Sequence, residues 1–207
     1  MSVMFPASGI SYQYSEIFEI LSKKHKISKS KAVPFRGRLQ HFQRLGFPLG
    51  VNTGSGKRVK YTWRELFLMG LALEYVEIGS TPERIVKEIL KFEEILLGAL
   101  AKIASPQGFE TEGCYLLTEL SGLLALKQEN QWGEEIVLLT QSEMTRVFSG
   151  DGDDRYRSPY AIIDLRQFVA SILLVVFETV EIPKDQLLED LKRWASKSTT
   201  DAVLLSD

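Results

Sequence analysis

The feature that most constrains the fold is the stretch Pro34–Ile78, in which two apolar, periodic segments flank a glycine-rich loop. The first segment has an apolar residue at every third position and predicts a helix over Phe35–Leu45, which Gly46 ends because glycine accepts the left-handed conformation. The second segment opens at Thr62 with Glu65 three residues later, a capping box that predicts the start of another helix.

The loop between these two helices has the composition of a β-hairpin. Phe47–Val51 and Arg58–Tyr61 are the predicted strands, and NTGSGK joins them with residues that accept positive φ angles at little cost. A further amphipathic helix is predicted before them, over Tyr14–Lys24, and the basic segment that follows it to Pro34 is predicted to be a loop. Helices followed by a hairpin and another helix form the order of a winged helix-turn-helix.

Positive charge is concentrated in the same part of the chain. Between Ile20 and Arg64 there are twelve Lys or Arg and no Asp or Glu. Met1–Lys91 carries a formal charge of +8 and Phe92–Asp207 carries −10, although the whole chain is close to neutral at −2. A local positive field of this kind is the footprint of a surface that binds phosphates, so the first half is predicted to bind nucleic acid.

The candidate DNA contacts lie on the predicted helix and on the hairpin. Glutamine can offer a paired donor and acceptor to adenine, arginine can bind guanine or phosphate, and loop cations supply salt-sensitive affinity for the backbone. Spacing alone leaves open which of these side chains would face a groove. The candidates are Arg36, Arg38, Gln40, His41, Gln43, Arg44, Lys57, Arg58 and Lys60.

Two interpretations fit the apolar pattern of Pro82–Ala104, which is predicted to be one helix that Thr81 caps. Residues at spacings of 4, 3, 4, 3 and 4 form a heptad seam suited to pairing with the same helix of a second subunit. Further apolar residues widen this seam into a stripe that an ordinary domain core would also use. The seam residues are Ile85, Ile89, Phe92, Leu96, Ala99 and Ile103.

A second domain is predicted after the proline- and glycine-containing segment 105–113. Three apolar runs there end in a capping residue (Thr118, Thr140 or Asp164) and are followed by a helical pattern. They predict a small α/β domain of about three strand–helix units over 105–207, after a winged helix-turn-helix domain over 1–104, hence an α+β chain. A last helix is predicted over Lys184–Ala195, with a loose tail behind it.

Other chemistry finds little support in the residue inventory. Cys114 is the only cysteine and the chain has two histidines, which argues against a Cys/His zinc site and fits a reducing cytoplasm. The longest apolar run, Phe168–Phe177, is too short to span a bilayer, so no membrane partner is expected. The glycine-rich loop lacks the spacing of a phosphate-binding loop, and no catalytic constellation stands out; the expectation is a non-enzyme without cofactors.

The segment Arg38–Gly79 resembles the MerR-type winged-helix DNA-binding domain. The resemblance rests on the helix LQHFQRLG, on Gly56-Lys57-Arg58 in the loop, on Tyr61-Thr62-x-x-Glu65-Leu66 at the next helix, and on Gly79 after it. It implies a homodimeric regulator whose recognition helices enter successive major grooves of double-stranded DNA while the wings contact backbone or minor groove.

Two functions are therefore expected as alternatives. The first is a sequence-specific transcription regulator whose second domain serves dimerisation or binds a protein or small-molecule effector. The second is an architectural or adaptor DNA-binding protein, phage-type or chromosome-organising, that uses the same element without regulating a promoter.

Overall fold

The computed structural model describes residues 9–51, 59–105, 113–119, 136–149 and 160–203. Over these residues the chain is α+β, with helices before, within and after a three-stranded sheet, and a 3-10 turn at Lys29–Lys31 before the second helix. The elements in chain order are α1 (Tyr14–Lys24), α2 (Ala32–Arg44), α3 (Trp63–Glu77), α4 (Pro82–Lys91), α5 (Glu93–Ala104), β1 (Cys114–Glu119), β2 (Ile136–Thr140), α6 (Gln141–Ser149), β3 (Tyr160–Asp164), α7 (Leu165–Thr179) and α8 (Lys184–Val203).

Helix α3 lies at the centre of the molecule and is apolar around most of its circumference. Every residue from Glu65 to Leu73 is buried, because the helix is covered on several sides by its neighbours. A Cβ atom added at Gly70 would lie 2.9 Å from Cδ1 of Ile172 and 3.2 Å from the ring of Phe168. Glycine therefore lets α3 and α7 approach closely at this point.

The predicted ends of α3 are confirmed. The Glu65 carboxylate accepts hydrogen bonds from the Thr62 backbone N–H at 2.7 Å and from the Thr62 hydroxyl at 2.6 Å, which completes the capping box. Gly79 follows the helix with a φ of 94°, the left-handed conformation expected at that position.

Helix α2 begins three residues before its predicted start. Pro34 predicts the absence of a helix here, but it occupies the first turn of α2. Backbone N–H groups in the first turn have no intrahelical acceptor, so a proline there costs the helix no hydrogen bond. The prediction that the segment up to Pro34 is a loop is therefore wrong for its last residues.

The first of the two predicted hairpin strands is not formed. Phe47–Val51 is a turn with a cis peptide bond before Pro48 and a φ of 84° at Gly50. Tyr61, in the second predicted strand, instead forms an antiparallel bridge with Tyr12, with N–H to O distances of 2.7 and 3.0 Å. The predicted connection NTGSGK, residues 52–57, and Arg58 of the second predicted strand lie outside the described residues.

The prediction of one continuous helix over Pro82–Ala104 is wrong, since the chain bends at Phe92 between α4 and α5. The predicted dimer seam is also not available for pairing. Four of its residues lie inside the chain's own core, because the wide apolar stripe is covered by α3, α7 and α8. These four are Ile85, Ile89, Leu96 and Ile103.

The sheet is antiparallel with strand order β2-β1-β3. Two predicted strand–helix units are confirmed: the Thr140 hydroxyl accepts from the Glu143 N–H before α6, and the Asp164 carboxylate accepts from two backbone N–H groups at the start of α7. Thr118 is not a cap; it lies within β1, paired with Ile136 and Ala161.

Residues from both halves of the chain share one buried core. Phe67 of α3 contacts Phe168 of α7 and Trp194 of α8, with ring centroids 6.4 and 5.3 Å apart. Helix α8 continues to Val203, beyond its predicted end at Ala195, so the first part of the predicted loose tail is helical.

Candidate nucleic-acid interface

Helix α2 presents a polar side because its apolar side is held in the core. Phe35, Leu39 and Phe42 are buried, with Leu39 and Phe42 fully inaccessible. Their spacing of four and three residues places them along one side of the helix, so the residues between them face outward. This amphipathic pattern alone orients the candidate DNA contacts toward solvent.

The structure brings most of the predicted site residues to this outer side. Arg36, Arg38, Gln40 and Arg44 are exposed on α2, and Lys60 is exposed just before Tyr61. His41 and Gln43 are half-buried on the flanks of α2, while Lys57 and Arg58 lie outside the described residues.

Arg36 and His41 have partners within the chain. The Arg36 guanidinium lies 5.0 Å from the centroid of the Phe18 ring. His41 Nε2 lies 3.0 Å from Oε1 of Glu83, whose pKa is lowered by its own backbone N–H and by this histidine. The ring contact orients the Arg36 side chain and leaves its positive charge in place. The carboxylate contact orients His41.

Gln43 connects α2 to Tyr61. Its Nε2 donates to the Tyr61 hydroxyl at 2.8 Å, and burial raises the pKa of Tyr61, with this hydrogen bond acting in the opposite direction. Tyr61 is itself held by the bridge to Tyr12. Tyr61, just before α3, is therefore attached both to α2 and to the segment before α1.

The described cations of the basic run fall into two groups. The first group of four has partners within the chain: Lys23 pairs with Glu19, Lys24 with Glu74 and Arg64 with Glu93, and Arg36 lies over the Phe18 ring. The second group is exposed, and none of its members has a carboxylate within 4.0 Å among the residues that the structure describes. The second group is Lys26, Lys29, Lys31, Arg38, Arg44 and Lys60.

Residues outside the predicted set also reach this surface. Lys29 and Lys31 are exposed on the 3-10 turn that leads into α2, and the basic run already contained the signal for them. Val33 and Gly37 are exposed on α2 itself. Val33 precedes the predicted start of the helix at Phe35, so it is not among the predicted contacts.

Other functional chemistry is sparse in the described ranges. They contain no group of three or more His, Cys, Asp or Glu side chains placed to hold a metal ion. Burial raises the pKa of the Cys114 thiol, which disfavours a reactive thiolate. Among the same residues, none of the helices is both long and apolar enough to cross a bilayer.

The exposed side of α2 is thus positively charged, and its opposite side is held in the core. No protein-family model matches the chain, and neither a curated protein nor a solved structure matches it.

Proposed function

We propose that this chain is a cytoplasmic, sequence-specific DNA-binding regulator that inserts α2 into the major groove of double-stranded DNA. The observation that carries the proposal is the outer side of α2, where Arg38, Gln40 and Arg44 are exposed while the opposite side is anchored in the core. An α-helix is about 10–12 Å wide with its side chains and the major groove is about 12 Å wide, so such a helix fits the groove.

Charge supports the choice of a nucleic acid over a protein partner. The second group includes Arg38 and Arg44 on α2 and Lys29 and Lys31 in the turn before it, and the described residues place no carboxylate in ion-pair contact with any of its members. In contact with DNA each such cation can replace a condensed counterion, which makes binding depend steeply on salt. Lys57 and Arg58, which lie outside the described residues, add two further cations in the sequence after α2.

Dimerisation is part of the proposal, since two copies would place two α2 helices in successive grooves, roughly 34 Å apart. The surface for it must differ from the seam of Pro82–Ala104, because that seam is buried in the subunit's own core.

The test is the salt dependence of duplex binding by the full-length chain. Arg38→Ala with Arg44→Ala should reduce the slope of log affinity against log salt by about 2, since each phosphate contact contributes about 0.9. The matched control removes two exposed cations elsewhere, Lys102→Ala with Lys197→Ala, and should leave the slope unchanged.

Two results would overturn the proposal. One is a wild-type chain that binds no DNA duplex at low ionic strength, and the other is an equal loss of slope in both double variants. If the wild type binds, genomic footprinting then separates regulation at a few promoters from dispersed, architectural binding.

A further inference from the structure

One line along α2 contains the residues most directly opposite its buried side. Val33, Gly37, Gln40 and Arg44 follow one another at spacings of four, three and four residues, so they stack along a single stripe of the helix. We call these four residues the outer strip. All four are exposed.

Gly37 has no internal reason to be glycine in the part of the chain that the structure describes. It lies in the middle of α2, its φ is not among the positive values, and a Cβ atom added to it would meet nothing within 4 Å. Alanine at such a position stabilises a helix relative to glycine. Glycine instead leaves a low point on the outer strip where another molecule can approach the helix backbone.

Val33 is unfavourable for a different reason, since it exposes an apolar side chain to water. It is 81% exposed, the largest value among the exposed large hydrophobic side chains of the described residues. It lies in the first turn of α2, one helical turn before Gly37. The N-terminal residues of a recognition helix are those that contact base edges, and an apolar side chain there can contact a thymine methyl group.

We propose that the outer strip is the part of α2 that meets the floor of the major groove. This inference rests on the proposed function and deepens it. Val33 contacts a thymine methyl, the helix backbone at Gly37 comes closest to the base edges, and Gln40 reads an adenine. Arg44, at the end of the helix, reaches the flanking phosphates. A helix fits this groove with little space to spare, so the missing side chain at Gly37 permits deeper insertion.

The first experiment uses sites selected by the full-length wild-type chain from a random-sequence DNA duplex pool. Gly37→Ala should raise Tm by about 2 °C while lowering affinity for the selected site by about 10-fold. Gly37→Leu should lower the affinity for the selected site further. Affinity for unselected duplex should change by less than about twofold, because phosphate contacts remain. Ser15→Ala, at an exposed position of α1, is the control and should leave both affinities unchanged.

The second experiment removes single methyl groups from the DNA. Replacing each thymine of the selected site by uracil should reveal one position at which wild-type affinity falls about fivefold and the affinity of Val33→Ala does not. Identical uracil profiles for the two proteins would overturn the assignment of Val33. If the Gly37→Ala variant binds the selected site as tightly as the wild type does, the close approach at Gly37 is overturned.

These failures differ from a failure of the proposed function. If only the outer strip is misassigned, the wild type still binds duplex DNA and the Arg38/Arg44 double variant still loses salt dependence. If the proposed function is wrong, no duplex binding or no specific loss of slope is seen, and both inferences fall together.

Discussion

Replacing Asp190 by asparagine exchanges one oxygen of a buried carboxylate for an NH2 group and should destabilise the whole chain. The side chain is completely buried in α8 and accepts two hydrogen bonds from distant parts of the sequence. Oδ1 accepts from the Gly9 backbone N–H at 2.9 Å, and Oδ2 accepts from Trp63 Nε1 at 3.1 Å. Asp190 therefore joins the C-terminal helix to the start of the chain and to α3.

The expected loss follows from counting acceptors. Asparagine has one acceptor oxygen, so one of the two N–H donors faces an NH2 group and loses its partner. An unsatisfied buried donor costs about 1–3 kcal/mol, which gives an expected destabilisation of about 2 kcal/mol for Asp190→Asn. Asp190→Ala loses the bonds from Gly9 and Trp63 and also the weaker one from the largely exposed Arg193, at 3.4 Å, but it removes a buried charge as well; we expect a loss of about 3 kcal/mol.

The assay is urea unfolding of the full-length chain, followed by tryptophan fluorescence and by circular dichroism. The control is Glu189→Gln, the neighbouring residue, which is exposed and pairs only with Lys192 at 2.7 Å among the described residues. Surface pairs of this kind are screened by water and contribute little to stability. The reasoning is refuted if Asp190→Asn unfolds within about 0.5 kcal/mol of the wild type, or if the control loses as much stability as Asp190→Asn does.

Two further predictions concern packing and pH. Gly70→Val should lower stability by about 1–3 kcal/mol, measured by thermal unfolding, because its side chain would overlap Ile172 and Phe168; an unchanged Tm would contradict the close contact of α3 and α7. Burial of the His25 ring lowers its pKa below the ordinary 6.5, so the unfolded chain binds more protons than the folded one below that pH. Stability should therefore be constant with respect to this group above about pH 6.5 and decline as the pH falls toward the folded pKa, and a decline of equal size in His25→Gln would rule this cause out.

Much of the local structure was predictable because its causes lie within four residues of one another. Thr62 with Glu65, and Thr140 with Glu143, form the capping contacts that their spacing predicts. Gly79 takes the expected left-handed conformation. A capping contact needs only the backbone of its own helix, so it forms wherever that helix forms.

The errors share a different cause. The stripe of Pro82–Ala104 is compatible with a second subunit or with the chain's own core, since an apolar side chain does not specify what covers it. The packing of α4 on α3 makes Ile89 internal, and the packing of α5 on α7 and α8 makes Leu96 internal. The bridge from Tyr61 to Tyr12 likewise depends on where the packing places the segment before α1.

The candidate site shows the same division. The sequence by itself determined the charge of the basic run, and the amphipathic period of α2 determined that Arg38, Gln40 and Arg44 point outward. The tertiary structure alone decided that Gln43 holds Tyr61 and that Arg64 is neutralised by Glu93. Charge and period are properties of neighbouring residues, whereas a hydrogen bond or ion pair across the fold depends on which distant elements the packing brings together.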